Sequence, residues 1–270
     1  MGFICPVCGE KLIEGEKSFT CRNAHLFDKA KKGYVNLLLG RDASLHGDSK
    51  EMLLSRYEVM QSGLYAPLQE VIVACLKAHL HHPATIADCG CGECYYTAAV
   101  KAAFADAEVL GTDISKAALE VANRRGKGIS RAVASSYRLP IATGSCDAAL
   151  NIFSPFAAEE YTRILKEGGL LLMVIPLEKH LWELKKAVYD KPYLNTPKDT
   201  ALAHFSLLAQ SECTYQKELS REQCLSVFKM TPYYIKTARE DMQKLEQLSS
   251  LRLTFSFKIL LYRKETDYGL

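Results

Sequence analysis

The stretch Ile86-Ala-Asp88-Cys89-Gly90-Cys91-Gly92-Glu93-Cys94 admits few folds. A short apolar run ends in an acid, two glycines follow at alternate positions, and a helix-like segment opens at Tyr95. The next apolar run ends at Gly111-Thr112-Asp113. Glycines at the carboxyl end of a strand let backbone approach a ligand closely, and an acid ending the following strand is placed to accept hydrogen bonds from ribose hydroxyls. The pattern predicts the ligand-binding half of a doubly wound α/β domain. The rhythm downstream agrees, with strands expected at 85–89, 108–113, 130–134, 147–153 and 169–175 and helices at 95–104, 115–125, 157–166 and 180–190. Such alternation specifies a parallel sheet covered on both faces. The tail differs: residues 202–216 and 251–263 read as long strands, with Ser220-Arg-Glu-Gln223 capping a helix between them. They are expected to pair as an antiparallel hairpin against the sheet edge.

The ligand follows from what the loop lacks. A dinucleotide site has a third glycine that opens the helix under a pyrophosphate. Here the region is Glu93-Cys94-Tyr95-Tyr96-Thr97. An acid and two aromatics suit a ligand without phosphates that carries a cationic centre. S-adenosylmethionine fits: its adenosine meets Asp113, and its sulfonium and amino-acid tail meet the loop. The expected architecture is then a Rossmann-like class I methyltransferase, with Asp88, Gly90, Gly92, Glu93, Cys94 and Asp113 around the cofactor. The competing reading is a tight turn in a Rossmann-like domain that binds something else.

Ten cysteines is a high count for a chain whose N-terminus carries no signal-peptide pattern, so reduced thiols or metal binding are expected over disulfides. Cys5-Pro-Val-Cys8-Gly9 and Cys21-Arg-Asn-Ala-His25 give the spacing C-x2-C-x12-C-x3-H, which matches a tetrahedral zinc site. Cys5, Cys8, Cys21 and His25 fill all four positions, so the metal is structural. A module of about 35 residues cannot bury a core unaided and depends on the metal to fold. Arg22, Lys29, Lys31 and Lys32, with Phe27 and Tyr34 among them, suit a looped single-stranded RNA; a rigid N-terminal cap is the plainer alternative. Cys75, Cys146, Cys213 and Cys224 sit in apolar surroundings as small core residues.

Between the two motifs, Asp48-Ser-Lys-Glu51 reads as a capping box with Asp48 at the N-cap, opening a helix with Met52, Val59 and Met60 inward. Tyr65-Ala-Pro67 opens a second, with Leu68, Val71, Ile72, Cys75 and Leu76 on one face. The expected organisation is a zinc-binding module over 1–36, linking helices over 37–83 and a methyltransferase domain over 84–270. Hydrophobic residues make up 48% and charged residues 24%, and no apolar run reaches a membrane span. A cytoplasmic protein with no membrane partner is expected. The net charge of +3 is compatible with an RNA substrate without arguing for one.

Several motifs occur in one order: the zinc spacing, Gly47-Asp-Ser-x-Glu-Met52, Gly63-x-Tyr65-x-Pro67, Asp88-x-Gly-Cys-Gly-Glu93, Ala134-Ser-Ser-x-Arg-Leu-Pro140, His180-Leu-x-Glu-Leu and Met230-Thr-Pro232. Over nearly its whole length the chain resembles the bacterial 23S ribosomal RNA guanine-N1 methyltransferases. That family includes housekeeping enzymes and others linked to macrolide-class resistance. The resemblance implies S-adenosylmethionine as methyl donor, N1 of a guanine in a 23S RNA hairpin as acceptor, and a zinc module that recognises the RNA. It implies zinc ligands at Cys5, Cys8, Cys21 and His25 and cofactor contacts at Tyr65, Glu93, Cys94 and His180. Ser135 lies where a loop usually holds the adenine. Position 94 departs from the pattern, with cysteine where glycine is usual.

The target base must be unstacked and held. The stretch Asn151-Ile-Phe153-Ser154-Pro155-Phe156 ends a strand where such a pocket belongs, and only loosely resembles the polar-Pro-aromatic motif of amino-group methyltransferases. Phe153 or Phe156 is expected to stack the guanine and Asn151 or Ser154 to bond its edge. Asp48 and His46 are the candidates for a general base. A small-molecule methyltransferase acting on a quinone or lipid precursor shares the core without needing the zinc module, and a non-catalytic RNA-binding protein keeps only the fold. The residues leave the oligomeric state open, with a homodimer among the assemblies to test.

Overall fold

The computed structural model describes residues 2–39, 48–196 and 200–266. Strands β1 (Ile13–Glu14), β2 (Ser18–Thr20) and β3 (Leu26–Asp28) form a small antiparallel sheet in the order β1-β2-β3. Strand β4 (Tyr34–Asn36) leaves it and runs parallel to β7 (Ile129–Val133). The large sheet has eight strands, in the order β10-β11-β9-β8-β5-β6-β7-β4. Its parallel centre holds β5 (Thr85–Cys89), β6 (Glu108–Asp113), β7, β8 (Cys146–Ile152) and β9 (Leu165–Pro176), and β11 (Ser250–Lys264) pairs antiparallel with both β9 and β10 (Phe205–Ser220). This is the mostly parallel sheet with an antiparallel C-terminal pair that the sequence predicts. The anticipated divide after residue 36 falls at the end of a strand belonging to the large sheet.

Helices α1 (Lys50–Gln61), α2 (Ala66–His79), α3 (Tyr95–Ala103), α4 (Lys116–Ala122), α5 (Ala158–Ile164), α6 (Trp182–Val188), α7 (Arg221–Lys229) and α8 (Arg239–Glu246) cover it. One face is closed by apolar residues of α1 to α4, α6 and α7, among them Val59, Leu68, Ile72, Val100, Leu119, Leu184 and Phe228. The other is closed by α5 and, unexpectedly, by the zinc module: Phe3, Cys5, Leu12, Phe19 and Cys21 share one buried cluster with Ala87, Leu110, Ala132, Leu139 and Ile141. The β7–β8 connection, 134–145, forms no helix, and the module lies on the face so left open. Burying Phe3, Leu12 and Phe19 there stabilises the fold by roughly 1.5–3 kcal/mol each.

Local chemistry corrects some boundaries. The N-cap of α1 is Ser49, whose hydroxyl accepts from the Met52 N–H, so Glu51 sits too early for a capping box. Asp48 instead pairs with Arg56 at 2.5 Å, and Glu51 reaches Lys229 and Tyr234. The box at α7 forms as expected, Ser220 and Gln223 bonding reciprocally. Leu181 stands at φ +56°, so α6 starts at Trp182 and His180 lies before it. Gly168 at φ +73° is accommodated within β9, which therefore starts at Leu165. No single described helix is long and apolar enough to cross a membrane.

Candidate active site and zinc centre

The glycine loop turns on contacts that admit few alternatives. Gly90 has φ +99°, and a Cβ there would lie 2.4 Å from the Ser154 Cβ. Backbone N–H groups of Gly90 and Cys91 both donate to the Thr112 carbonyl, at 2.8 and 2.9 Å, fastening the loop to the end of β6. Gly92, at φ +54°, donates its N–H to Asp113 Oδ2 at 2.8 Å, while Asp113 Oδ1 accepts from the Ser115 N–H at 2.7 Å. Burial raises the Asp113 carboxyl above its ordinary range despite these two donors. The two halves of the predicted ribose site are therefore in direct contact. Cys94 caps α3 at φ +63° and ψ +31°, left-handed backbone that costs an L-residue roughly 1–2 kcal/mol. The usual glycine of this position would adopt it freely.

Asp88 is buried, and its Oδ2 accepts from the Thr97 hydroxyl at 2.6 Å. Its Oδ1 has no hydrogen-bond partner among the described residues. Desolvation pushes the carboxyl up to about 7. The Tyr96 hydroxyl is likewise buried and unpartnered. Two orphaned polar atoms beside a glycine loop fit a ligand that brings polar groups of its own. Glu93 is buried and accepts from Arg125 at 3.2 Å; desolvation raises its carboxyl, opposed by nearby guanidinium groups. Arg125 also lies over the rings of Tyr57 and Tyr95, at 4.6 and 5.2 Å.

Tyr65 and His180 enter an aromatic group centred on Phe257 of β11. Phe257 lies 5.7 Å from Tyr65, 5.5 Å from Phe153 and 4.5 Å from His180, and Tyr96 lies 6.3 Å from Phe153. His180 Nδ1 accepts the Ser256 N–H at 3.3 Å, which places the ring proton on Nε2. Desolvation, with a further push from Lys185, holds the imidazole down to about 3, so it is neutral at physiological pH. Tyr96 is one of the two loop aromatics read from the sequence, whereas nothing local marks Phe257, which belongs to a strand from the far end of the chain. Ser135 is buried after β7, and its hydroxyl accepts from the Tyr137 N–H at 3.3 Å.

At the end of β8 the side chains divide. The Asn151 amide donates to Ser154 Oγ at 2.8 Å, to the Tyr161 hydroxyl at 2.9 Å and to the Pro155 carbonyl at 3.1 Å. Ser154 Oγ donates to the Cys89 carbonyl at 2.6 Å. Phe156 stacks on Tyr161 at 5.1 Å. All three expected pocket residues are thus engaged within the protein. Phe153 differs: it is 45% exposed, stands at φ +56° and faces the Tyr96–Phe257 group. Of the candidate bases, Asp48 is paired with Arg56, and His46 lies outside the described residues.

In the N-terminal module the donor atoms of Cys5, Cys8, Cys21 and His25 all lie within 4.8 Å of one another. His25 Nδ1 is 3.6 Å from Cys5 Sγ and 3.3 Å from Cys21 Sγ, and the Cys8 and Cys21 sulfurs are 3.6 Å apart. Three soft thiolates and one imidazole at tetrahedral edge lengths fit zinc. The Glu10 backbone N–H draws the Cys8 thiol down to about 6, towards the thiolate a metal requires. Gly9, at φ +76°, supplies the turn after Cys8. The proposed RNA-facing set is partly redirected. Tyr34 is buried with its hydroxyl on Glu120, Arg22 pairs with Glu10 and Lys29 with Glu14, while Lys31 and Lys32 are exposed.

Residues 3–39 match the zinc-ribbon family described as RlmA, N-terminal, and residues 86–169 match a methyltransferase domain family. A 23S rRNA (guanine(748)-N(1))-methyltransferase of Streptomyces fradiae is 39% identical over 68% of this chain and 66% of its own length, just under two thirds of that relative. A Bacillus subtilis (strain 168) protein named as a candidate 23S rRNA (guanine-N(1)-)-methyltransferase is 29% identical over 97% of both chains. Among solved structures, a candidate methyltransferase of Bacillus halodurans C-125 superposes with a TM-score of 0.49 at 18% identity, covering 72% of this chain and 99% of its own. A Micromonospora griseorubida protein, also named as a candidate 23S rRNA (guanine-N(1)-)-methyltransferase, is 32% identical over 84% of this chain and 85% of its own, and with that relative the chain belongs to the 23S rRNA (guanine-N1)-methyltransferase family.

Proposed function

We propose that this protein transfers the S-methyl group of S-adenosylmethionine to N1 of a guanine in a hairpin of 23S ribosomal RNA, in the cytoplasm. The observation that carries the reading is a zinc ribbon set against the same sheet whose carboxyl edge holds the glycine loop, Asp113 and the Phe257 group. When bound, the cofactor supplies an electrophilic methyl on a sulfonium. Asp113 is the ribose acceptor, Asp88 Oδ1 and the Tyr96 hydroxyl face the remaining polar groups, and Tyr65, Phe257 and His180 form an apolar, aromatic wall. Aromatic faces favour a cationic centre, and a neutral His180 adds no opposing charge.

Guanine N1 is a poor nucleophile until its proton leaves, and positioning supplies much of the acceleration for in-line methyl transfer. Phe153 is the side chain suited to stacking the flipped base, since it is exposed, aromatic and adjacent to the cofactor wall. Asn151, Ser154 and Phe156 hold the turn that presents it. His180 is a donor through Nε2 and not a base, since Nδ1 already accepts the Ser256 N–H. Lys31 and Lys32 give the ribbon exposed cations for RNA phosphates. The protein acts without a membrane partner, and a homodimer is proposed as its assembly.

The test is a tritiated-methyl assay on unmodified 23S RNA, followed by primer extension. A methyl group on N1 blocks Watson–Crick pairing and stops reverse transcriptase at the modified guanine. Label in RNA with such a stop is the expected result. Label confined to a small-molecule extract would overturn the substrate assignment.

A further inference from the structure

We infer that the zinc knuckle braces the loop that closes the adenosyl end of the cofactor site, so that zinc and the adenosyl cofactor bind cooperatively. The inference rests on the assignment of the Ser135 loop to the adenosyl half of the cofactor. That loop, between β7 and β8, forms no helix of its own. It is held from outside, by the module. Phe3 bridges Ile141, and the Ile4 N–H donates to the Pro140 carbonyl at 2.8 Å. The Arg138 guanidinium donates to the Pro6 carbonyl at 3.4 Å, and Pro6 lies between ligands Cys5 and Cys8. Pro6, Leu37, Leu38, Ser135 and Arg138 line one small cavity.

The second ligand pair reaches the same loop by another route. From Cys21 and His25 the chain passes through β3 into β4, which pairs residue by residue with β7 up to Val133. The Leu37 N–H then donates to the Val133 carbonyl at 3.0 Å, two residues before Ser135. A single ion therefore fixes both supports of the loop, the Cys5–Cys8 knuckle above Pro140 and the β4 strand beside Val133. Without the ion the ligands separate, the supports lose their mutual position, and the Ser135 turn loses its preorganisation. Linkage requires the effect to be reciprocal: a cofactor that orders the loop raises zinc affinity by the factor by which zinc raises cofactor affinity.

The full chain, zinc-loaded and after chelation, is titrated with S-adenosylhomocysteine by calorimetry. Zinc affinity is then measured by competition with a chromophoric chelator, with and without saturating S-adenosylhomocysteine. Removing zinc should weaken S-adenosylhomocysteine binding at least about tenfold, and the ligand should raise zinc affinity by the same factor. Should circular dichroism show that the stripped chain has unfolded, Phe3→Leu and Arg138→Ala replace it. Both should keep one zinc per chain and bind S-adenosylhomocysteine several-fold more weakly. Equal affinities with and without zinc, or wild-type affinity in both zinc-loaded variants, would overturn the linkage alone. Absence of any binding by the zinc-loaded wild type would overturn the cofactor reading beneath it.

Discussion

Gly90→Ala is the sharpest test of how the loop is built. The residue stands at φ +99°, which costs an L-residue roughly 1–2 kcal/mol. The new methyl would start 2.4 Å from the Ser154 Cβ and 2.9 Å from its Oγ, and overpacking of this kind costs typically ~1–3 kcal/mol. Moving Ser154 away loosens its bond to the Cys89 carbonyl and its contact with the Asn151 amide, a further ~1 kcal/mol. The total is about 3–6 kcal/mol, which for a chain of this size lowers Tm by roughly 10 °C. Urea unfolding and calorimetry with S-adenosylhomocysteine measure the two consequences, lost stability and lost binding. The double variant Gly90→Ala, Ser154→Gly removes the atom in the way and should be less destabilised than the sum of its parts by ~1–2 kcal/mol. A single variant within ~1 kcal/mol of wild type, binding ligand normally, would refute the argument, as would strict additivity in the pair.

Three further outcomes are expected. Phe153→Ala should lower kcat/KM for RNA at least about tenfold while leaving S-adenosylhomocysteine affinity unchanged, because the ring is half exposed at the edge of the Tyr96–Phe257 group; parallel losses in both would place the ring on the cofactor instead. His180 is held at about 3 against an ordinary 6.5, so below pH 6.5 the unfolded chain binds the proton that the folded chain refuses. Stability should therefore fall as pH drops from 6.5 towards 3, by up to roughly 4–5 kcal/mol from this group, and His180→Asn should flatten that part of the unfolding profile. Asp88 has the opposite slope: its carboxyl is raised to about 7, so the folded state favours the proton and loses stability as pH rises from about 4 through 7. Asp88→Asn should remove that loss in the ligand-free protein, and an unchanged profile would show that the carboxyl is already ionised on folding.

The parallel core was legible because two periodicities and two motifs agree. Strands β5 and β6 begin and end where the residues predict, at Thr85–Cys89 and Glu108–Asp113. The zinc quartet was equally legible, since ligand spacing is a local property and the four atoms converge. What local reasoning missed lies where distant segments meet. Tyr34 reads as an exposed aromatic beside lysines but is buried against Glu120, because β4 joins the large sheet. Asn151 and Ser154 read as pocket groups, and the structure adds that the Asn151 amide N–H groups bond to Tyr161 and Pro155 and the Ser154 hydroxyl to Cys89. Phe257 carries no motif and becomes central only when β11 inserts beside β9. One signal was available and unread: residues 134–145 carry no helical period where the βαβ rhythm calls for a helix, so some other segment had to cover that face.

The position of β4 also sets an order of events during synthesis. Strand β4 is the first of the large sheet to leave the ribosome, yet its partner β7 and the Pro140–Ile141 segment that receives Phe3 and Ile4 follow about a hundred residues later, several seconds behind at ordinary translation speed. In that interval a metal-loaded ribbon carries Phe3 and Val35 without the surfaces that bury them in the native state. The nascent N-terminus is then a sticky, half-finished element awaiting its sheet. Removing it to obtain a minimal catalytic fragment would strip Leu110, Ala132, Leu139 and Ile141 of their cover, and the expected product of such a truncation is an aggregate, not a smaller enzyme.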